Sequence, residues 1–329
     1  MSAVIVNGIE TELGRRIAAA LRADGHTVSG ELTVPGRAPA DGEPVDLVLL
    51  APGHGAEVDG TGLGGVDLAP AAPLLASLDD RPVRLVVVLS SAMVYGAWPT
   101  NPVPLSEDAV LRPNPGSRFA ADRAELERLV TDWARDRDTR VAVLRPSLVV
   151  SEDDPAVEWM ERSLWHRPSA RHGDTDPPGQ FLAVGDLVSA VVHSVRAGLD
   201  GAYNVAPDGW LGGDRQVDLA GRGGKVRIPG PLAPPVARAR WRWRLTSTPP
   251  EVLPYTMHPW VVANDRLRAT GWEPAATNDE AFVDVSRAGW WSSLHGRRRQ
   301  EVALGALLAA VAAVVTTVVL LVRRSSRSR

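Results

Sequence analysis

The chain contains no cysteine among its 329 residues. A disulfide framework, a thiolate-bound zinc or iron–sulfur centre and a cysteine nucleophile are therefore excluded. Lysine is almost absent, since Lys225 is the only lysine among 36 basic residues. The 36 basic and 39 acidic residues nearly balance, so the chain has no overall attraction for nucleic acid and we expect no such partner.

Sequence patterns of metal sites and hydrolases are missing as well. The 7 histidines are scattered and form no HExxH pair, so no metal site is predicted. No G-x-S-x-G turn surrounds a nucleophilic serine, and no P-loop is present. These absences exclude the common zinc hydrolases, serine hydrolases of the α/β type and P-loop nucleotidases.

Alternating apolar runs and helical segments predict the fold class. Continuous apolar runs, typical of parallel strands covered on both faces, occupy residues 3–7, 45–50, 83–89 and 140–144. Helical patterns lie between them at 13–21, 66–78 and 120–134. We therefore predict an α/β protein with a Rossmann-like, doubly wound parallel sheet.

Composition divides the chain into three predicted parts. Residues 1–150 carry the strand–helix alternation and are predicted to be a dinucleotide-binding domain. Residues 151–296 are irregular and predict a smaller C-terminal substrate lobe with closing elements. In the third part, 297–329, arginines flank the uncharged stretch 302–322, and about 21 helical residues span a bilayer core of roughly 30 Å. This stretch predicts a transmembrane helix.

Such a helix implies a single-pass C-terminal membrane anchor. Residues 1–7 lack the basic and apolar regions of a signal peptide, so we expect the soluble part to face the cytoplasm. Gly305, Ala309 and Ala313 form a row of small residues that permits close approach of two helices. A homodimer is therefore left open.

A glycine-containing turn follows the first predicted strand. Residues 7–14 read NGIETELG, which places Gly8 and Gly14 at two positions of a G-x-x-G-x-x-G dinucleotide turn and Thr11 at the middle one. Gly8 permits the tight turn, the helix N-terminus offers N–H groups to a pyrophosphate, and Gly14 allows close packing of helix and strand. Thr11 narrows the approach of a phosphate. Taken alone, the pattern fits a dinucleotide site or an ordinary strand–helix turn.

The segment 90–96, SSAMVYG, resembles the strand-end signature of the extended short-chain dehydrogenase/reductase superfamily, of the NAD-dependent epimerase/dehydratase type. Further pieces follow in that family's order, at 104–108, 112–113, 124–127, 144–146, 184–187, 203–205 and 271–274. The resemblance covers roughly residues 1–205 and 264–274. It implies a Rossmann-like fold, a nicotinamide cofactor, and a small-molecule substrate such as a sugar nucleotide.

Enzymes of this family use a serine, a tyrosine and a lysine four residues after the tyrosine. The tyrosine exchanges a proton with the substrate hydroxyl, while the lysine lowers the tyrosine's pKa and holds the nicotinamide ribose. Ser91 matches the serine, but the helix places Phe119 at the tyrosine position and Arg123 at the lysine position. Phenylalanine cannot exchange a proton, and arginine differs from lysine in geometry although it can bind a ribose. We therefore expect the oxidoreductase chemistry to be altered or lost.

Alternatives remain at both the acid–base and the cofactor positions. Tyr95, Asp122 and His166 are candidates for a substitute proton donor, although a structural or solvated role explains each of them better. Glu31 lies near the end of a further strand expected between the helix at 13–21 and the apolar run at 45–50. There it is placed to bind ribose hydroxyls and disfavours a 2′-phosphate. We thus expect NAD or NADP, with NAD favoured. The alternative to an enzyme is a non-enzymatic dinucleotide sensor or a membrane scaffold.

Overall fold

The structure is a computed structural model. It describes residues 2–30, 44–50, 71–150, 170–173, 176–219, 226–243 and 249–285. The predicted positions Glu31 and His166 and the predicted span 302–322 lie outside these ranges. The division into three parts stays a prediction.

A six-stranded parallel sheet forms the centre of the fold, with strand order β2-β1-β3-β4-β5-β9. Its strands are β1 (Ala3–Asn7), β2 (Thr27–Ser29), β3 (Val45–Leu50), β4 (Val83–Leu89), β5 (Arg140–Pro146) and β9 (Gly201–Val205). Two small parallel pairs accompany it: β6 (Leu148–Val150) with β8 (Phe181–Ala183), and β7 (Ala170–His172) with β10 (Val226–Ile228). The predicted Rossmann-like parallel sheet is confirmed.

Helices cover both faces of the sheet, because neighbouring strand residues point to opposite sides. Val4 and Val6 of β1 belong to one apolar cluster, while Ile5 belongs to another. The helices are α1 (Glu12–Ala23), α2 (Ala71–Ala76), α3 (Arg118–Ala134), α4 (Val184–Ala197), α5 (Gly213–Leu219), α6 (Ala233–Arg242), α7 (Leu253–Met257), α8 (Asp265–Arg268) and α9 (Asn278–Val285). Buried residues of α1 and α4 join the first cluster, while those of α2 join the second together with Leu126, Val130 and Ala134 of α3.

The strand order sets where a ligand can lie. The chain passes from β2 back across β1 to β3, so the order of the strands reverses between β1 and β3. In open parallel sheets, ligands bind outside the carboxyl ends of the strands at such a reversal. The turn after β1 and the residues after β4 and β5 therefore face one common edge, which we call the carboxyl edge.

The predicted transmembrane helix requires a correction. In the described ranges no helix is both long enough and apolar enough to cross a membrane. The longest of them, α3, has 17 residues, which span only about 25 Å, and its sequence includes charged residues that bilayer cores exclude. The fold class that the described residues show is α/β with a Rossmann-like parallel sheet.

Candidate functional site

The turn between β1 and α1 has the close geometry of a glycine-dependent strand–helix junction. Gly8 adopts a positive φ of 82°, a conformation that favours glycine. A Cβ added to Gly14 would lie 2.0 Å from the Gly8 carbonyl oxygen, so only glycine fits there. The first turn of α1 therefore packs directly on the backbone that leaves the sheet.

Thr11 is the N-cap of α1. Its hydroxyl donates to the Gly8 carbonyl at 2.7 Å and accepts the Gly14 N–H at 3.0 Å. One of the N–H groups at this helix N-terminus is thus already used by the protein. The N–H groups of Glu12 and Leu13 are the first-turn donors that the helix geometry leaves for an external acceptor.

The negative charge beside this turn is neutralised locally. Glu12 forms ion pairs with Arg15 at 2.6 Å and Arg16 at 3.1 Å, and hydrogen bonds from the two guanidinium groups lower the pKa of its carboxyl group. Both arginines are on the same helix, three and four residues later. The carboxylate therefore repels an incoming anion less than an unpaired carboxylate would.

Ser91 lies at the carboxyl edge, two residues beyond the end of β4. It is buried, and its hydroxyl accepts the Met93 N–H at 3.2 Å as the N-cap of the 3-10 turn Ala92–Tyr95. In this hydrogen bond the Ser91 hydroxyl oxygen acts as the acceptor, which fixes the orientation of the side chain. The hydroxyl proton remains available for another acceptor.

The side chains of Phe119 and Arg123, both residues of α3, stack on one another. The Arg123 guanidinium carbon is 3.5 Å from the centre of the Phe119 ring, and Arg123 Nη1 donates to the Phe119 carbonyl at 3.4 Å. Arg123 is only 1% exposed, and this burial lowers its pKa to about 9, an effect that the nearby Asp122 carboxylate partly offsets. The spacing of four residues places both side chains on one helix face. The structure thus brings these two predicted site residues into direct contact.

A buried polar network lies next to these residues and joins five chain segments. Glu127 of α3 pairs with Arg145 of β5 at 2.7 Å and also accepts a hydrogen bond from Ser90. Arg145 Nη1 donates to the Tyr95 hydroxyl at 2.8 Å, which in turn donates to Asn204 Oδ1 of β9 at 2.8 Å. The ion pair is nearly excluded from solvent, with side chains 8% and 6% exposed.

Glu107 also belongs to this network, because it bonds to both Asn204 and Arg145. Its carboxylate accepts the Asn204 backbone N–H at 3.0 Å, and its carbonyl accepts from Arg145 at 3.3 Å. Sequence reasoning placed Glu107, Glu127, Arg145 and Asn204 only as members of collinear family motifs. It missed that they bind one another, because their separations along the chain show no helical or strand periodicity.

The candidate substitute proton donors differ in their surroundings. Tyr95 is committed to the buried network, and burial raises the pKa of its phenol. In Asp122, Oδ2 is buried and, in the structure as described, has no hydrogen-bond partner. His166 lies outside the described residues. Of the two candidates that the structure describes, Asp122 is therefore the one with an oxygen free to accept a hydrogen bond.

Ser147, which sequence reasoning did not single out, lies beyond the end of β5 at the same edge. Its N–H donates to the Val205 carbonyl at 2.9 Å, while its buried hydroxyl has no partner in the described part of the chain. A serine directly after the Leu-Arg-Pro motif was the only signal for it. Within the described ranges no group of three or more His, Asp or Glu side chains is arranged to hold a metal ion.

Comparison with known proteins finds a family model that matches part of the chain. Residues 65–206 match the model of the NAD dependent epimerase/dehydratase family. Uncharacterized proteins of Mycobacterium tuberculosis (strain H37Rv) and Mycobacterium bovis are each 29% identical over 221 residues, which is 66% of this chain. The match spans 58% of the length of these relatives.

Solved structures share the fold at low sequence identity. RMD from Pseudomonas aeruginosa, complexed with NADPH, is 18% identical with a TM-score of 0.59, over 87% of this chain and 98% of that chain. The UDP-glucose 4-epimerase of Thermus thermophilus, complexed with NAD, is 19% identical with a TM-score of 0.58 over the same shares. That of Thermotoga maritima, with UDP-glucose, is 15% identical with a TM-score of 0.59, over 87% and 97%.

The resemblance seen in the sequence motifs is confirmed, since residues 65–206 match the model of the NAD dependent epimerase/dehydratase family and solved structures with the same fold include complexes with NADPH and NAD.

Proposed function

We propose that this chain binds NAD or NADP at the carboxyl edge and that the oxidoreductase chemistry usual in its family is altered or lost there. The family match and the fold support the cofactor, since the structures from Pseudomonas aeruginosa and Thermus thermophilus contain NADPH and NAD. The stacked pair of Phe119 and Arg123 is the single observation that supports the change in chemistry.

The turn after β1 fits a dinucleotide in its backbone geometry. Gly14 allows α1 to pack against the Gly8 carbonyl, so the helix N-terminus points at the strand reversal. The N–H groups of Glu12 and Leu13, with the positive end of the helix dipole, would hold the pyrophosphate. Thr11 already occupies the Gly14 N–H, so the pyrophosphate receives one backbone donor fewer.

The usual proton relay cannot operate through α3. A bound nicotinamide supplies hydride transfer. Phe119, at the position of the family's tyrosine, has no group that accepts the substrate's hydroxyl proton. Arg123 stacks on the Phe119 ring, and with a pKa of about 9 its guanidinium group is already protonated at neutral pH, so it cannot accept that proton. Loss of a positioned acid–base typically lowers the rate by about 10²- to 10⁴-fold.

We propose a sugar nucleotide as the small-molecule ligand beside the cofactor. The UDP-glucose 4-epimerase of Thermotoga maritima, whose structure contains UDP-glucose, supports this class. Glu31 supports NAD over NADP, because a carboxylate at that position repels a 2′-phosphate. Binding without turnover would make the protein a dinucleotide sensor.

A second candidate is an enzyme that uses a different proton carrier. The buried Asp122 Oδ2 favours it, because this atom has no partner within the described residues and lies on the helix that carries Phe119 and Arg123. Ser91 retains a hydroxyl for substrate binding at the same edge. In this case Asp122 would accept the proton that tyrosine accepts elsewhere in the family.

The absorbance of reduced nicotinamide distinguishes these functions. The full chain is mixed with NAD and UDP-glucose, and reduced nicotinamide and sugar products are followed over time. We expect no turnover in the wild type and its appearance in Phe119→Tyr/Arg123→Lys. Turnover in the wild type that Asp122→Asn abolishes would establish the second candidate, and wild-type turnover at an ordinary family rate that Asp122→Asn leaves intact would overturn both.

A further inference from the structure

A cavity lies at the opposite edge of the sheet, at the amino ends of the strands. Its volume is about 710 Å³, and its wall includes Ser2 before β1, Pro44 before β3 and Arg84 in β4. Asp24, the C-cap of α1, and Arg196, near the end of α4, complete the polar wall. A volume of this size accommodates a small organic molecule. The dinucleotide turn and Ser91 are at the other end of the same strands, so the cavity is separate from the proposed function.

Hydrogen bonds already occupy the carboxylate of Asp24 in the cavity wall and that of Asp46, which contacts the wall residues Ser2 and Arg84. The buried Asp46 accepts from Arg84 Nε at 2.9 Å and from the Ser2 hydroxyl at 2.7 Å. Asp24 accepts two bonds from Arg196, and its Oδ2 lies 3.4 Å from His26 Nε2. The acidic groups therefore have little acceptor capacity left for a cationic ligand.

The polar contacts continue between these two pairs. Ser2 Oγ lies 3.0 Å from His26 Nδ1, and because the one hydroxyl proton of Ser2 goes to Asp46, Nδ1 is the donor in this contact. Arg84 also donates to the carbonyl of Val195, the residue before Arg196, at 3.4 Å. The contacts thus form a closed chain through the C-terminal end of α1, the residues that precede β1 and β2, strands β3 and β4, and α4, and this chain holds the cavity wall in place.

The polar groups of this wall that are still available for hydrogen bonds are donors. Arg84 and Arg196 make their bonds through Nε and Nη2, and among the described residues neither Nη1 atom has an acceptor. The Arg84 and Arg196 side chains are 41% and 64% exposed, so both guanidinium groups are accessible to a ligand. Paired guanidinium groups with free N–H groups select carboxylate or phosphate oxygens.

We propose that this cavity is a binding site for a small organic oxyanion, held through a carboxylate or phosphate group between Arg84 and Arg196. The two arginines formally balance Asp24 and Asp46, so the ligand is selected by hydrogen-bond donors rather than by net charge. Pro44 and Val195 supply the apolar wall against which the carbon skeleton of the ligand packs.

Histidine-ring NMR of the full chain tests the site with inorganic phosphate and acetate as separate probes, at constant ionic strength in chloride. The His26 resonances are assigned by comparison with His26→Gln. We expect a saturable shift of the His26 ring with phosphate, acetate or both. Saturation by phosphate alone identifies a phosphate ligand, and saturation by acetate extends the class to carboxylates.

Three variants separate binding from a structural effect. Arg196→Gln should weaken binding about tenfold, the loss of one charge-assisted hydrogen bond. Asp24→Asn should strengthen it, because it removes a negative charge and releases the Arg196 donors. Arg215→Gln, which removes a similarly exposed arginine paired with Asp279 elsewhere, should leave it unchanged. No saturable shift at high millimolar probe, or equal affinity in the wild type and Arg196→Gln, would overturn the proposal.

Discussion

Arg123 is a buried cation that the fold keeps at an energetic cost. Burial lowers its pKa to about 9, whereas the unfolded chain holds the same proton to considerably higher pH. Below pH 9 both states are protonated, so the full cost is present and does not vary with pH. Stability from this group rises with pH only above about 9, where the folded chain releases the proton first.

We therefore predict that Arg123→Met stabilises the protein at neutral pH by about 1–4 kcal/mol, since a flexible apolar side chain replaces the buried charge. The gain should be constant below pH 9. Urea unfolding measures it, with Arg128→Met as the control on the exposed face of the same helix. A loss of stability in Arg123→Met would show that the guanidinium contacts outweigh its burial.

Glu127 has buried partners, and we expect such a residue to contribute more to the free energy of unfolding than an exposed one. It binds Arg145 and Ser90 at the carboxyl edge, while Glu125, two residues earlier, pairs with Arg128 on the surface. From the sequence, both are acidic residues on one amphipathic helix. In the fold Glu127 is buried and Glu125 is exposed. The sequence does not show this difference, because a buried charge depends on partners that are distant along the chain.

Glu127→Ala should cost about 3–5 kcal/mol, because it leaves the Arg145 charge buried without its partner. Glu125→Ala should cost less than about 1 kcal/mol, as exposed ion pairs do. The free energies of unfolding of the two variants, measured side by side, check this difference. Equal values would mean that Arg145 finds another acceptor or water.

Secondary-structure elements were largely predictable from the sequence. β1, β3 and β4 have the predicted bounds, since strands covered on both faces are continuous apolar runs ended by glycine, proline or polar residues. Helix α3 begins at Arg118, two residues before the predicted start, because Ser117 caps it. The predicted crossover helix at 66–78 is described only as α2, Ala71–Ala76, and residues 51–70 lie outside the described ranges.

The contact between β1 and α1 depends on one glycine. Gly14→Ala should destabilise the protein by about 1–3 kcal/mol or more, because the new methyl group overlaps the Gly8 carbonyl. Gly185→Ala is the matched control, since Gly185 also lies in the first turn of a helix, α4, with no atom within 4 Å of an added Cβ. That variant should be neutral or more stable by about 0.5–1 kcal/mol. Thermal unfolding of both variants measures the difference in their stability. Equal stability of the two variants would show that α1 can shift away from β1.

At the scale of the whole molecule, the parallel sheet separates two sets of polar groups. The carboxyl edge carries the dinucleotide turn, Ser91 and the stacked Phe119 and Arg123, while the amino edge carries the cavity between Arg84 and Arg196. The fold class and the carboxyl edge were predictable, because family motifs mark the ends of consecutive strands. The amino edge was not, because Ser2, Asp46 and Arg84 meet only through strand register.

Calorimetric titration of the full chain with NAD, NADH, NADP and NADPH tests whether the protein binds a dinucleotide. We predict saturable binding of at least one of the four in the micromolar range, with NAD or NADH tighter than the phosphorylated pair. Phe119→Leu serves as a control that should retain binding, since phenylalanine contributes no polar contact. Absence of binding by all four dinucleotides at millimolar concentration would contradict the account and leave a protein that has kept the fold without the cofactor.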